Sequence, residues 1–253
     1  MEKFKKLHQQ TMPLLLGNVW DASSAKCAQE AGYQAIGTSS AAVANLLGYE
    51  DGEQMPFSEL AFMVQRIASA SLLPLTVDIE AGYSQDPKVI ADHIQELAEL
   101  GVVGINIEDS RVDETRYLTA KDEFSQLLSH VCQELKVRQI EMFINVRCDA
   151  FLLGLENALE VAIERAKSYQ EAGADGLFFP CITKAQDIKA LVATTPLPIN
   201  IMSMPELPNF EVLADLGVKR ISTGNFAYDA MYAGLGRQLS EIKKQGSYAS
   251  LFS

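Results

Sequence analysis

Eight short β-rich runs, separated by amphipathic stretches that stop at glycine, constrain this chain more than any other feature. The runs are 14–20, 35–40, 75–80, 104–109, 142–150, 176–182, 197–203 and 220–225. Helical periodicity over 23–30, 87–100, 157–171 and 210–216 is followed by Gly32, Gly101, Gly173 and Gly217. A glycine just past the last periodic residue ends a helix because it adopts the left-handed conformation without penalty. A helix, a glycine, a short turn and a strand is the grammar of βα units with parallel strands. Eight such units in a chain of 253 residues predict a (β/α)8 TIM barrel. An open doubly wound sheet is the alternative, but it uses fewer strands, and no GxGxxG follows a strand here. The expected organisation is a single barrel domain over 1–253, with 1–12 as a lead-in helix and a tail after Gly246 that frays.

Charge narrows the partners. Lys and Arg total 21 against 33 Asp and Glu, a net charge of −12. That balance excludes the basic footprint of nucleic-acid binding and opposes an anionic membrane surface. Cys27, Cys132, Cys148 and Cys181 are widely spaced with no CxxC, which argues against a disulfide framework or a zinc site. The basic N-terminus lacks the apolar core of a signal peptide, and no apolar run is long enough to span a bilayer. A cytoplasmic location is the expectation.

The ends of the β-rich runs carry the chemistry. Side chains alternate faces along a strand. Leu75, Val77 and Ile79 therefore share one face, and Thr76, Asp78 and Glu80 the other. Ile105 and Ile107 oppose Asn106 and Glu108, while Met142, Ile144, Val146 and Cys148 oppose Phe143, Asn145, Arg147 and Asp149. In a barrel the apolar set packs under the helices and the polar set points inward near the C-terminal mouth. Carboxylates crowded there need a cation, and Arg147 alone does not suffice. A hard divalent ion with oxygen ligands, such as Mg²⁺, answers that need. Solvated strand-end polar groups are the plainer reading. The segment 37–56 is long for a βα connection, and its Gly37, Thr38, Ser39 and Ser40 offer N–H groups and hydroxyls to a carboxylate. On spacing alone Asp51 is an ordinary turn residue. Trp20 closes the first strand and either lines the pocket or packs.

The stretches NVWDASSAK, AIGTSSAAVA, GYEDGE, DIEAGYS, GVVGINIEDS, FINVRCDAF, EAGADGLFFP and INIM resemble the isocitrate lyase / phosphoenolpyruvate mutase superfamily over about residues 13–239. The most specific part is Asp78-Ile-Glu80-Ala-Gly82-Tyr83, followed by Asn106-Ile-Glu108-Asp109 and by Arg147. The resemblance implies a Mg²⁺-dependent barrel, with Mn²⁺ a substitute, that makes or breaks C–C or P–C bonds next to an enolate. It implies Asp78 as metal ligand, with Asp51, Glu80 and Glu108 holding metal-bound waters. It further implies that Thr38, Ser39 and Ser40 receive the substrate carboxylate and that Arg147 contacts the same substrate. Asn200 corresponds to a site for a second carboxylate. A homo-oligomer, dimer or tetramer, is also implied.

One departure is informative. The lyases of this superfamily carry a Cys and a His on a gating loop, whereas the segment 110–124, SRVDETRYLTAKDEF, has neither. True isocitrate and methylisocitrate lyases are therefore excluded, and a small PEP-mutase-like member is the match. The expected function is a Mg²⁺-dependent C–C lyase or decarboxylase acting on a small α-keto or 2-hydroxy (di)carboxylate. Arg147 would stabilise the enolate, and Tyr83 is the candidate base for cleavage of a hydroxy acid. Two alternatives stand beside it: P–C chemistry on a phosphonopyruvate-type substrate, drawing on Arg111, Arg116 and Lys121, and a non-catalytic keto-acid-binding protein that retains the metal site.

Overall fold

A computed structural model describes residues 1–252. The chain opens with α1 (Glu2–Leu7), then runs β1 (Leu14–Val19), α2 (Ala22–Glu30), β2 (Ile36–Thr38), α3 (Ser40–Leu47) and α4 (Phe57–Ala68). It continues through β3 (Leu75–Asp78), α5 (Pro87–Glu99) and β4 (Gly104–Glu108) to a small hairpin of β5 (Ser110–Val112) and β6 (Arg116–Leu118). There follow α6 (Lys121–Val137), β7 (Phe143–Arg147), α7 (Ala158–Ala172), β8 (Gly176–Phe179), α8 (Ala185–Val192), β9 (Ile199–Met202), α9 (Phe210–Asp215), β10 (Arg220–Ser222) and α10 (Phe226–Gln245). Eight parallel strands close in the order β1-β10-β9-β8-β7-β4-β3-β2. This is the expected (β/α)8 barrel, with all eight β-rich runs as its staves.

The pleat sorts the side chains as the alternation requires. Val77, Ile79, Ile105, Ile107, Ile144, Val146, Leu177 and Ile201 face outward into one core shared with the helices. That core includes Ile90, Ile94 and Leu97, which α5 presents at helical spacing. The four glycine stops all take positive φ, for example 83° at Gly32 and 110° at Gly173.

The barrel's N-terminal end is closed separately. Leu14, Leu16 and Phe143 point inward, and Phe4 of α1 packs onto them. Phe4 meets the Phe143 ring edge-on at 5.4 Å, and His8 stacks on its face at 4.7 Å. Burial pushes the His8 imidazole down to about 4, so this plug is uncharged at neutral pH. The lead-in helix is shorter than 1–12, because the chain leaves helical geometry at His8.

Two segments differ from the sequence reading. The connection after β2 is not an extended loop: residues 40–47 form α3, begun by Ser39 as N-cap and ended at Gly48 with φ 85°. Residues 110–118 pair as an antiparallel hairpin rather than a loop. Strands of three residues are too short to display a period. The final helix α10 lies apart: Tyr228 is its buried residue, while Met231, Tyr232, Leu235 and Leu239 are exposed. No helix among the described residues is long and apolar enough to cross a membrane.

The plug predicts a stability effect remote from the mouth. Phe4→Ala removes a ring that is 1% exposed and leaves a void against Leu14, Leu16 and Phe143. Urea unfolding should show a loss of about 3–5 kcal/mol.

Candidate active site

Parallel register brings the polar residues into layers. Asp78 pairs with Asn106, Asn106 with Asn145, and Glu108 with Arg147. Thr38, at the end of β2, accepts the Asp78 backbone N–H on its Oγ1 at 2.9 Å, which binds the two strand ends together. Two cavities open at this mouth. One, of about 390 Å³, is lined on its polar side by Thr38, Ser39, Ser40, Asp51, Asp78, Asn106, Arg116 and Arg147. The other, of about 380 Å³, is bounded by Glu53, Glu80, Tyr83 and Glu108.

The sequence supplied one cation for this cluster; the structure brings two. Arg147 donates from Nε to Asp149 Oδ1 at 2.6 Å and from Nη2 to Asp149 Oδ2 at 3.1 Å. Its Nη1 lies 2.8 Å from Glu108 Oε2 and 3.9 Å from Asp78 Oδ2. Arg116, carried in by the hairpin, donates to Asp51 Oδ2 at 2.8 Å, to Ser110 Oγ at 2.9 Å and to Glu108. Burial opposes the charge on Arg147, but Glu108 and Asp149 outweigh it and hold the guanidinium well above its usual range.

The carboxyls show the strain of crowding. Burial raises Asp78 although Arg147 pulls it down. Glu108 is raised well above the usual range, again by burial first. Glu80 is pushed up to about 8 by burial and by the charges of Asp51 and Asp78. Its oxygens accept the Glu53 N–H at 2.6 Å and the Tyr83 phenol at 3.1 Å.

Behind the mouth, Asp109 locks the scaffold. It accepts the Asp149 N–H at 2.9 Å, an Arg165 guanidinium N–H at 2.9 Å and the Tyr169 hydroxyl at 2.7 Å. Asp149 is thereby held where it can orient Arg147.

The donor set of Asp51, Asp78, Glu80 and Glu108 is all oxygen and carries surplus negative charge, which suits a hard divalent cation. Among the described residues no three such side chains converge as direct ligands. Mg²⁺ usually keeps several waters and takes only one or two carboxylates directly. The arrangement therefore fits one direct ligand with the other acids at a water's distance.

On the substrate side, Ser39 caps α3 by accepting the Ala42 N–H, and Ser40 donates to Asp51 at 3.3 Å. The N-terminus of α3 thus faces the cavity with its partial positive charge. Three expected site residues lie elsewhere. Trp20 packs edge-on against Tyr228 at 5.3 Å and borders a separate cleft beside α10. Asn200 is buried below the cavity, where its Oδ1 faces Ser222 Oγ at 3.5 Å. Tyr83 sits in the neighbouring cavity with φ 59°, and burial and Glu80 drive its phenol upward, so it remains a donor to Glu80 rather than a base.

Conversely, Asn106 and Asp149 belong to the cluster and were not selected from sequence, while Arg116, which the sequence offered only for P–C chemistry, belongs to it as the partner of Asp51 and Glu108. Strand alternation had already placed Asn106 and Asp149 on the inner face. Nothing local to the sequence announces that Arg116 pairs with Asp51 and Glu108, because its position depends on the hairpin.

The phosphoenolpyruvate phosphomutase family profile matches residues 4–243. An uncharacterized protein of Mycobacterium tuberculosis is 37% identical over 236 residues, covering 91% of this chain and 85% of that protein. An oxaloacetate decarboxylase of Rhodopseudomonas palustris is 33% identical over 236 residues, covering 89% and 79%. The solved structure of a candidate phosphonomutase from Burkholderia cenocepacia J2315 superimposes with a TM-score of 0.89 at 38% identity, covering 94% of this chain and 98% of that one.

The acid cluster predicts a pH effect. Glu80 titrates at 4.5 when unperturbed and at about 8 in the fold. The folded state holds the extra proton between those values, so stability declines as pH rises through the window and levels off above it. With a chelator present, the thermal midpoint should fall between about pH 6.5, above which the buried neutral His8 no longer opposes the effect, and about pH 8.5, and Glu80→Gln should flatten that fall.

Proposed function

The chain belongs to the phosphoenolpyruvate phosphomutase family, and on that premise we propose that it is a divalent-metal-dependent decarboxylase of a small β-carboxylated α-keto acid, with oxaloacetate as the leading substrate. It is a carbon–carbon lyase of the PEP mutase/isocitrate lyase superfamily. The observation that carries the reading is one barrel mouth, beside the N-terminus of α3, where Asp78 and Glu108 meet Arg147, Asp51 and Glu108 meet Arg116, and Glu80 borders the adjoining cavity. Its similarity to an oxaloacetate decarboxylase at 33% identity supports the substrate class.

In this reading Asp78 ligates Mg²⁺ or Mn²⁺, and Asp51, Glu80 and Glu108 hold its waters. The ion supplies Lewis acidity toward the keto group. The α-carboxylate is received beside Ser39 and Ser40 at the α3 N-terminus, by first-turn N–H groups beyond that of Ser39, which donates to the Val19 carbonyl at 3.3 Å. Arg147, held by Asp149, places a fixed positive charge beside the oxygen that becomes negative. Because that guanidinium is already oriented, it need not reorganise during reaction. Leu152, Leu153, Phe178 and Pro180 form an apolar wall of the same cavity. A carboxylate against such a wall is poorly solvated, which favours its departure as neutral CO₂. The C3–C4 bond breaks, its electron pair passes into the enolate, and C3 takes a proton from water to give pyruvate.

The hairpin presents Arg116 rather than a Cys or His. Aldol-type cleavage of a hydroxy acid needs a base for the hydroxyl proton; decarboxylation does not. The apolar residues exposed along α10 support self-association, and a dimer or tetramer is part of the proposal.

Oxaloacetate, dimethylmalate, 2-methylisocitrate and phosphonopyruvate should be tested with Mg²⁺, with Mn²⁺ and with EDTA. Pyruvate release from oxaloacetate is expected, lost in EDTA and in Asp78→Ala. Asp51→Asn and Glu80→Gln should weaken activity or metal affinity about 10–100-fold. Pyruvate release that survives both EDTA and Asp78→Ala would overturn the metal assignment. Turnover of phosphonopyruvate alone would move the reading to P–C chemistry, and keto-acid binding without turnover would make the protein a binder.

A further inference from the structure

We infer that Asn106 contacts the substrate, its side-chain amide donating to the keto oxygen that becomes the enolate oxygen. The inference rests on the proposed lyase reading and supplies a donor for the charge that a keto oxygen gains, without supplying the base that a 2-hydroxy acid needs.

The argument begins with the orientation of the amide. Asn106 lies on the inner face of β4, in register with Asp78 on one side and Asn145 on the other. Its Oδ1 receives Asn145 Nδ2 at 2.8 Å and Arg220 Nη2 at 3.5 Å. A guanidinium has donors only, so the atom turned toward Arg220 must be oxygen. Asn145 by itself would tolerate either orientation of a facing amide; Arg220 breaks that symmetry.

Arg220 is itself immobilised. It is 1% exposed, its Nη2 also faces Thr76 Oγ1 at 3.4 Å, and its Nε and Nη1 have no protein partner. Such a group has little to gain by releasing the acceptors it has. With the oxygen end of Asn106 committed downward, the NH₂ end is left for the cavity, which Asn106 lines beside Asp78 and Arg147. It makes no hydrogen bond to a protein acceptor, yet it is not among the sealed unsatisfied atoms.

The neighbouring cations are already engaged. Arg147 is paired with Asp149 and Glu108, and Arg116 with Asp51 and Glu108. The Asn106 amide is therefore an uncommitted neutral donor on the cavity floor. A donor there matches an oxygen that gains negative charge, as a keto oxygen does when the C3–C4 bond breaks. A hydroxyl oxygen can also accept from it, but the amide N–H cannot take the proton that a hydroxyl must lose before aldol-type cleavage. Removing one such preoriented donor costs about 10²–10³ in kcat where it acts on the transition state.

The test uses the Mg²⁺-loaded protein of 253 residues. Asn106→Ala should lower kcat on oxaloacetate about 10²–10³-fold with KM changed far less. Asn106→Asp, nearly isosteric but with an acceptor in place of the donor, should bind oxalate at least about tenfold more weakly by calorimetry. The Asn106 side-chain NH₂ signals, assigned by through-bond correlation to the Asn106 backbone, should shift when oxalate is added to the wild-type protein. Circular dichroism and thermal midpoints identify variants that have lost the fold, and the wild-type amide shift needs no variant to be folded. An active wild type with kcat of Asn106→Ala within about threefold, or an unmoved amide signal with oxalate bound, would overturn the inference. If the wild type binds oxalate but turns over no keto acid, the lyase reading fails, and the amide signal still decides whether Asn106 meets the ligand.

Discussion

Negative charge concentrated at one end of a barrel is the constraint on which the rest of this structure depends. Asp51, Asp78, Glu80, Glu108 and Asp149 share a mouth with Arg116 and Arg147. Neither arginine is a surface ornament: Arg147 is bracketed by three carboxylates, and Arg116 ties a hairpin to the β2–α4 region. Removing one partner from such a cluster leaves uncompensated charge in a poorly solvated place. The elevated carboxyl groups are the physical expression of that crowding, and they make the mouth receptive to a cation.

The fold supports this polar end by keeping the other end apolar and neutral. Phe4, Leu14, Leu16 and Phe143 close the N-terminal side with rings and aliphatic chains, and His8 there stays uncharged. Between the two ends lies a layer of amides and a buried guanidinium: Asn106, Asn145, Asn200 and Arg220. This layer orients the groups above it. Asp109, Arg165 and Tyr169 do the corresponding work from outside the barrel wall by fixing Asp149.

The fold was largely legible from pattern. Each β-rich run became a stave because parallel strands under helices must be apolar outside, and Val77, Ile105 and Ile144 carry that period openly. Asp78, Glu108 and Arg147 were legible for the complementary reason, being polar residues in phase at strand ends. Trp20 was ambiguous because an aromatic at a strand terminus satisfies packing and pocket lining equally. It packs because α10 brings Tyr228 against it. Tyr83 hydrogen-bonds Glu80 because the turn after β3 delivers its phenol there, a pairing that no local pattern announces.

The sequence by itself determined the eight-unit barrel, the helix stops and the acidic strand ends, since each follows from local periodicity or residue chemistry. Tertiary structure alone decided which charges meet. Arg116 reaches Asp51 across 65 positions of sequence, and Arg220 reaches Asn106 across 114. Those pairings set the charge balance at the mouth and the direction of the Asn106 amide. They arise from barrel closure and hairpin placement, and no local pattern encodes a distance between residues that only the closed sheet brings together.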